Sequence, residues 1–414
     1  MTIHYYRRHD CRLCGSTALS LALQLEPTPL ANALVSKSQL GEPQPVFPLD
    51  VFLCDDCKHL QLLDVIDRRV LYEHYVYVSG TSPVFVEHFR QYADSLLARY
   101  ASERGILAVD IGSNDGTLLS FFKQAGCRVL GVDPALEIAA DANRKGIPTI
   151  VDFFSPKLAT QIVEKHGTAS IVTANNLFAH LDDLSAFLEG IRTLIGRGGV
   201  FAFEVSYLGD VIEKTLFDTI YHEHLDYHSV APLVRLFEAH GLELIDASRI
   251  DTHGGSLRAI VQAAGGVRQI APSVAKMVEE EDRIGLNRAD TYVEFASRID
   301  NIGQELRSLL KRIKSDGKSI AGYGAPAKAT TLMYHFGIGP DVVDYIVDDS
   351  PWKQSLYSPG LHIPIVPSSF IGETKPDYIL ILAWNFASPI IQRNSAFHAS
   401  GGRFIIPLPD VQLV

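Results

Sequence analysis

The chain has 414 residues, 47% of them hydrophobic and 21% charged, with 37 Lys and Arg against 48 Asp and Glu for a formal net charge of −11. That length predicts two or three domains with sizeable cores rather than disorder, and an acidic chain without a basic run argues against binding along a nucleic-acid backbone. No apolar run approaches the roughly 20 residues of a membrane span, and the polar, basic start (Met1 to His9) lacks the apolar segment of a secretion signal. A cytoplasmic protein without nucleic-acid or membrane partners is the expectation.

Residues 1–66 carry two knuckles, Cys11-x-x-Cys14 and Cys54-x-x-Cys57, around a proline-bearing middle (Pro27, Pro29, Pro43, Pro45, Pro48). Four thiolates in a reducing compartment suit a tetrahedral structural Zn2+, although the insert between the pairs is longer than in the commonest ribbons. A redox or incidental cysteine set is the alternative. Cys127, in an apolar context, reads as a core residue.

The central unit, 67–290, opens with a helix over about 83–103 that places Phe85, Phe89, Tyr92, Leu96 and Leu97 at helical spacing. From Gly105 strands and helices alternate. Ile106–Ile111, Arg128–Val132, Ala169–Thr173 and Gly199–Glu204 read as buried strands, which together predict a doubly wound, mostly parallel Rossmann-like sheet. A charged helical segment over 271–314 leads to a second Rossmann-like α/β unit, 291–414, with strands at 318–321, 342–347 and 376–382.

Ligands of open α/β sheets bind beyond the carboxyl ends of the strands. Asp110-Ile-Gly-Ser-Asn-Asp-Gly116 lies at such an end. Gly112 permits close backbone approach and Gly116 the turn into a helix, with Asn114 and Asp115 between them. Asp133, ending the next strand, is placed to accept both hydroxyls of a ribose. The dinucleotide pattern Gly-x-Gly-x-x-Gly is absent, and an acid before a single early glycine suits a ligand without pyrophosphate, S-adenosylmethionine. The plainer alternative is that these glycines serve only the turn.

The chain resembles the sugar C-methyltransferases of deoxysugar biosynthesis, which act at C-3′ of nucleotide-linked 4-keto-6-deoxy sugars. The resemblance spans nearly the whole length. It runs from the cysteine knuckles through 109–116, Asn175-Asn-Leu-Phe-Ala-His180, Tyr221-His-Glu-His224 and His253-Gly-Gly-Ser-Leu-Arg258 to Gly322-Tyr-Gly-Ala-Pro-Ala-Lys328. The cysteine pairs followed by Tyr-His-Glu-His are its specific part. It implies S-adenosylmethionine as cofactor, held also by Asn175 and Asn176, a nucleotide-diphosphate ketosugar as substrate, and a monomer.

Methylating carbon requires that the carbon first become a nucleophile. A neighbouring ketone permits this by stabilising the enolate left when the α-proton is removed, so the site needs a base, an oxyanion donor and in-line placement of the methyl. An imidazole titrates near working pH. The resemblance implies His224 as base, with Tyr221 and Glu223 as its immediate partners, His180 facing the same pocket, and Tyr75 reaching in from the N-terminal side. Tyr77 is close enough to exchange roles with Tyr75, and Tyr77 and Ser79 are assigned to substrate. Two alternatives stand beside this: a metal held by His224 and His228 at i, i+4, or a structural polar cluster among the 15 histidines.

His253 and Arg258 offer a phosphate or sugar contact, and a plain turn before a strand fits those residues equally. Gly322-x-Gly324-x-x-Ala327, followed by the strand-ending Asp348 and Asp349, taken alone suggests a nicotinamide cofactor. The resemblance points instead to the nucleotide-sugar, contacted by Tyr323 and Lys328; an unliganded scaffold is the third reading. Competing functions are O- or N-methylation of a sugar, a nicotinamide-dependent sugar oxidoreductase, and a zinc-bearing binding protein.

Overall fold

The computed structural model describes residues 5–72, 80, 83–101 and 105–414; Tyr75, Tyr77, Ser79 and the side chain of His253 lie outside that description. The N-terminal module pairs β1 (Tyr5–Arg7) with β5 (Asp64–Ile66) and builds a second sheet from β2 (Leu19–Thr28), β3 (Phe47–Cys54) and β4 (Leu60–Leu62). β3 alternates buried and partly exposed residues, so Leu49, Val51 and Leu53 enter the core. A short helix α1 (Arg68–Tyr72) leads towards the longer α2 (Pro83–Tyr100), whose Phe85, Phe89, Tyr92 and Leu96 form its buried face.

The central domain follows the alternating pattern: β6 (Leu107–Ile111), α3 (Thr117–Gln124), β7 (Arg128–Val132), α4 (Leu136–Arg144), β8 (Thr149–Ile150), α5 (Pro156–His166), β9 (Ile171–Asn175), α6 (Leu184–Ile195) and β10 (Val200–Ser206). After α7 (Leu208–Glu213), β11 (Asp226–Tyr227) and α8 (Val230–Ala239), the chain closes the sheet with β12 (Leu242–Ile250) and β13 (Ser256–Ala263). The strand order is β12-β13-β10-β9-β6-β7-β8, and β13 runs antiparallel to both neighbours. Side-chain alternation divides the sheet into two cores. Phe201, Phe203 and Val205 pack with Phe178 and Phe237 on one face, while Val200 and Ala202 meet α2 and α3 on the other. On that second face Asp110, Thr173 and Glu204 lie towards the carboxyl ends of their strands. Order reverses between β6 and β9, and the loops beyond this switch point carry Gly112 and Asn175.

The charged segment is two helices, α9 (Pro272–Ile284) and α10 (Ala289–Ser315), broken at Gly285 in a left-handed conformation. The C-terminal domain then runs through β14 (Ile320–Tyr323), α11 (Ala327–His335), β15 (Ile346–Val347), β16 (Ile365–Val366), β17 (Tyr378–Ile381), β18 (Arg403–Ile406) and β19 (Gln412–Leu413), in the sheet order β16-β15-β14-β17-β18-β19. The strand expected over 342–347 is confined to its last two residues, because Val342 and Val343 turn back to donate to the Gly339 carbonyl.

The three units share secondary structure and core. Strand β11 of the central region pairs antiparallel with β4 of the N-terminal sheet. One apolar core unites β2–β4, α7, the 216–220 turn, α10, α11 and the C-terminal sheet. Among the described residues no helix is long and apolar enough to cross a membrane.

Candidate active site and metal centre

The first glycine loop turns through three left-handed residues, Gly112 (φ 73°), Asn114 (φ 50°) and Gly116 (φ 78°). A Cβ on Gly116 would come within 2.9 Å of Ile147, so glycine is required there sterically as well as conformationally. Asp133 accepts from Asn114 N at 2.8 Å and Ala135 N at 2.8 Å, which fixes its carboxylate at the loop's edge. Asp110 accepts from the Thr173 hydroxyl at 2.6 Å, and burial pushes its carboxyl up to about 7. Asn176 adopts a positive φ and donates its N–H to the Glu204 carbonyl. Asn175, at the carboxyl end of β9, has both amide atoms buried without a partner among the described residues. Buried amides are ordinarily satisfied, so this amide fits a polar ligand of the sheet edge, as S-adenosylmethionine would be.

Asp115, expected at the cofactor, is engaged within the protein. One of its oxygens accepts from Thr117 N–H and hydroxyl at the start of α3, and the other from Gly80 N at 3.2 Å. It fastens the chain preceding α2 to the first turn of α3.

From Asn175 the chain makes a single 3-10 turn, Phe178–His180, and the His180 ring stacks on His224 with centroids 5.1 Å apart. The Tyr72 ring also stacks on His180, with centroids 5.5 Å apart. Residues 221–224 form a turn ahead of β11, so His224 and His228 do not share a helical face; His228 is buried against Phe178 and His59, which removes the basis for a metal at that pair. Among the described residues the four cysteines are the one group with metal-ligand geometry.

His224 Nδ1 lies 2.7 Å from the Thr219 carbonyl. A carbonyl only accepts, so Nδ1 carries the proton and Nε2 presents its lone pair, 2.8 Å from the Tyr221 hydroxyl. Burial lowers the His224 imidazole to about 4, opposed by the Thr219 carbonyl. The ring is therefore neutral at physiological pH, with the Nε2 lone pair unprotonated. Glu223 is not the carboxylate that orients it. Its Oε1 accepts from Asn32 of the N-terminal module at 2.7 Å, and burial raises it to about 7. His222 is buried with Nε2 3.1 Å from the Pro48 carbonyl.

The Thr219 turn is held by the C-terminal domain. Lys328 lies 3.9 Å from Asp218 and 3.7 Å above the Trp384 ring, while the indole donates to Asp218 at 2.6 Å and the Thr331 hydroxyl to the Ile220 carbonyl at 2.7 Å. Burial lowers the Lys328 ammonium to about 8. Tyr323 is buried, its hydroxyl 3.3 Å from Asp349. Asp348 accepts from Ala325 N and Ser350 N, the same pair of contacts that Asp133 makes in the central domain. Arg258, expected to contact sugar or phosphate, is engaged within the protein: its Nε donates to Glu204 at 2.7 Å and its guanidinium lies 4.2 Å over Tyr92, while Glu204 also meets His88 at 2.7 Å. The group pins α2 onto the sheet. The 252–255 segment is a turn into β13, with the Gly254 carbonyl accepting from Lys214.

In the N-terminal module Cys11 and Cys57 sulfurs are 3.6 Å apart, as are those of Cys14 and Cys54, and the four ligand atoms lie within 4.8 Å of one another. A tetrahedral zinc about 2.3 Å from each sulfur would set them about 3.8 Å apart, so the donor set fits that ion.

Three family models match the chain: a domain described as zinc binding over residues 11–72, a methyltransferase domain over 85–247, and a C-methyltransferase C-terminal domain over 251–409. C-methyltransferase NovU of Streptomyces niveus is 37% identical over 405 residues, covering 98% of this chain and 96% of that protein. Ubiquinone biosynthesis O-methyltransferase of Colwellia psychrerythraea is 27% identical over 154 residues, 34% of this chain and 63% of its own. Among solved structures, magnesium protoporphyrin IX methyltransferase of Synechocystis PCC 6803 with bound S-adenosylmethionine aligns with a TM-score of 0.33 and 17% identity, over 48% of this chain and 89% of that one.

Proposed function

The chain belongs to the S-adenosylmethionine-dependent C-methyltransferase family, and from that premise we propose that it methylates C-3′ of a nucleotide-linked 4-keto-6-deoxy sugar through an enolate formed by His224. The observation that carries this reading is the His224 imidazole: Nδ1 fixed by the Thr219 carbonyl, Nε2 unprotonated and accepting from the Tyr221 hydroxyl, and the ring stacked on His180 one turn from the cofactor edge at Asn175.

In this reading Asp110, Gly112, Asn114, Gly116, Asp133, Asn175 and Asn176 hold the cofactor. When bound, it supplies an electrophilic methyl on a sulfonium. His224 Nε2 takes the proton from C-3′, and the C–H electron pair delocalises into the 4-keto oxygen. Tyr221 donates to that oxygen as charge develops, the kind of preorganised contact that accounts for much of a rate enhancement. His180, held neutral by burial and by the neighbouring imidazole, completes the polar wall without adding a positive charge beside His224. The C-terminal domain keeps the Thr219 carbonyl in place through Lys328, Trp384 and Thr331 and contributes to binding the nucleotide.

The test is incubation of the protein with methyl-labelled cofactor and a panel of nucleotide-linked 4-keto-6-deoxy sugars, followed by carbon NMR of the product. A methyl group bonded to C-3′ is expected. Transfer to oxygen or nitrogen, or no transfer to any 4-ketosugar, would end the proposal.

A further inference from the structure

Arg12 directly follows the thiolate Cys11, and its side chain is wholly buried. Its Nε donates to Asp182 at 3.0 Å; its Nη1 donates to the Leu62 carbonyl and to Gln61 Oε1 at 3.3 Å, and lies 4.0 Å from Asp226. The two carboxylates stand on different segments, Asp182 on the loop before α6 and Asp226 at the start of β11. Asp182 is two residues beyond His180, and Asp226 is two residues beyond His224. The segments meet through a backbone bond as well, Leu225 N–H to the Ala179 carbonyl at 2.8 Å.

The second knuckle reaches the same place. His59, two residues beyond Cys57, brings Nε2 within 2.7 Å of Asp226, and β4, which follows it, pairs with β11. Arg8 and Tyr6 reach Asp182 from the outside. Neither Arg12 nor Asp182 nor Asp226 touches the acid–base groups themselves. They fix the backbone on which those groups stand.

A guanidinium suits this task because its rigid fork directs donors to several acceptors at once, which a lysine ammonium on a flexible stem cannot reproduce. Buried ion pairs of this kind add little net stability over apolar packing, yet losing one partner leaves a carboxylate buried and under-paired, so geometry is what they retain. We propose that Arg12 is a positioning residue that clamps the His180 and His224 loops together and thereby makes their geometry depend on the order of the four-cysteine metal site. The proposal rests on the reading of His224 as the base.

The experiment uses the full-length, zinc-loaded protein with Arg12→Lys and, as a variant on the solvent side of the same clamp, Asp182→Asn, whose carboxyl is 26% exposed. Zinc content, S-adenosylhomocysteine affinity, turnover and the imidazole NMR resonances of His180 and His224, assigned through single His→Asn replacements, are measured together. Displacement of a positioned group by about 1 Å costs on the order of 10²-fold, so Arg12→Lys is expected to lower kcat about 100-fold with KM nearly unchanged. Zinc and S-adenosylhomocysteine stay bound while both imidazole resonances move, and Asp182→Asn moves them in the same sense by less. Removing zinc from the wild-type protein with a chelator is expected to move the same two resonances. Wild-type resonances in both zinc-loaded variants would overturn the clamp, as would resonances unmoved by chelation. Imidazole spectra need no turnover, so a wrong assignment of the reaction, seen as full activity in His224→Asn, is distinguishable from a wrong clamp.

Discussion

His224→Asn removes the Cε1 and Nε2 positions of the ring and leaves most of the local structure satisfied. The asparagine amide occupies the place of Nδ1 and can donate to the Thr219 carbonyl, which lies 2.7 Å from the imidazole. Nothing replaces Nε2, so the Tyr221 hydroxyl loses its acceptor at 2.8 Å and the C-3′ proton loses its destination. A positioned general base is worth about 10²–10⁴ in rate, or about 3–5 kcal/mol of barrier at 1.36 kcal/mol per decade. The expected outcome is a kcat lowered by that factor, with S-adenosylhomocysteine affinity unchanged because the cofactor loop is untouched. Solvent deuterium exchange at C-3′ in the presence of S-adenosylhomocysteine reads the base directly and should slow in parallel. The pH profile of the wild type adds a second check. Because burial lowers His224 to about 4, the ring stays unprotonated well below the ordinary imidazole value of about 6.5, and kcat/KM should hold on the acid side to near pH 5 before protonation removes the base. Undiminished exchange and turnover in His224→Asn would refute the reasoning.

Burial raises Glu223 from 4.5 to about 7, so the folded state binds a proton that the unfolded chain has released, and stability falls as pH rises across that window by up to about 3 kcal/mol. Glu223→Gln keeps an acceptor for Asn32 and cannot ionise; its thermal stability relative to wild type should therefore improve from pH 5 to pH 8, and a constant difference would contradict the buried, partly protonated carboxyl. Asn175→Ala removes an amide that has no partner among the described residues, which should leave ligand-free stability equal or higher while weakening S-adenosylhomocysteine about tenfold, or about 1.4 kcal/mol, by calorimetry; lower stability with unchanged affinity would place the amide in the core instead. Arg258→Met removes the guanidinium both from above Tyr92 and from its pairing with Glu204, so stability should drop by about 2–3 kcal/mol with KM for the sugar nucleotide unchanged. A raised KM at unchanged stability would return Arg258 to the substrate.

What could be read from the sequence alone is what local chemistry dictates. Two Cys-x-x-Cys knuckles announce a metal site because each ligand pair is set by its own short turn, and the metal needs nothing else from the chain to be recognisable. The strands at 107–111, 128–132 and 200–206 announce a parallel sheet because burial on both faces leaves a nearly continuous apolar run. Gly112 and Gly116 mark a tight loop because positive φ and close packing tolerate little else. The tetrapeptide 221–224 could be singled out by residue type, but not its wiring. Glu223 is adjacent to His224 in sequence and yet faces Asn32, a residue 191 positions away, while a backbone carbonyl at Thr219 orients the imidazole. Arg258 looks free in a glycine-rich segment until antiparallel pairing of β13 with β10 sets it opposite Glu204. Main-chain acceptors carry no signature in residue type, and the burial that decides which carboxylate meets which cation is created only when three units close on one loop.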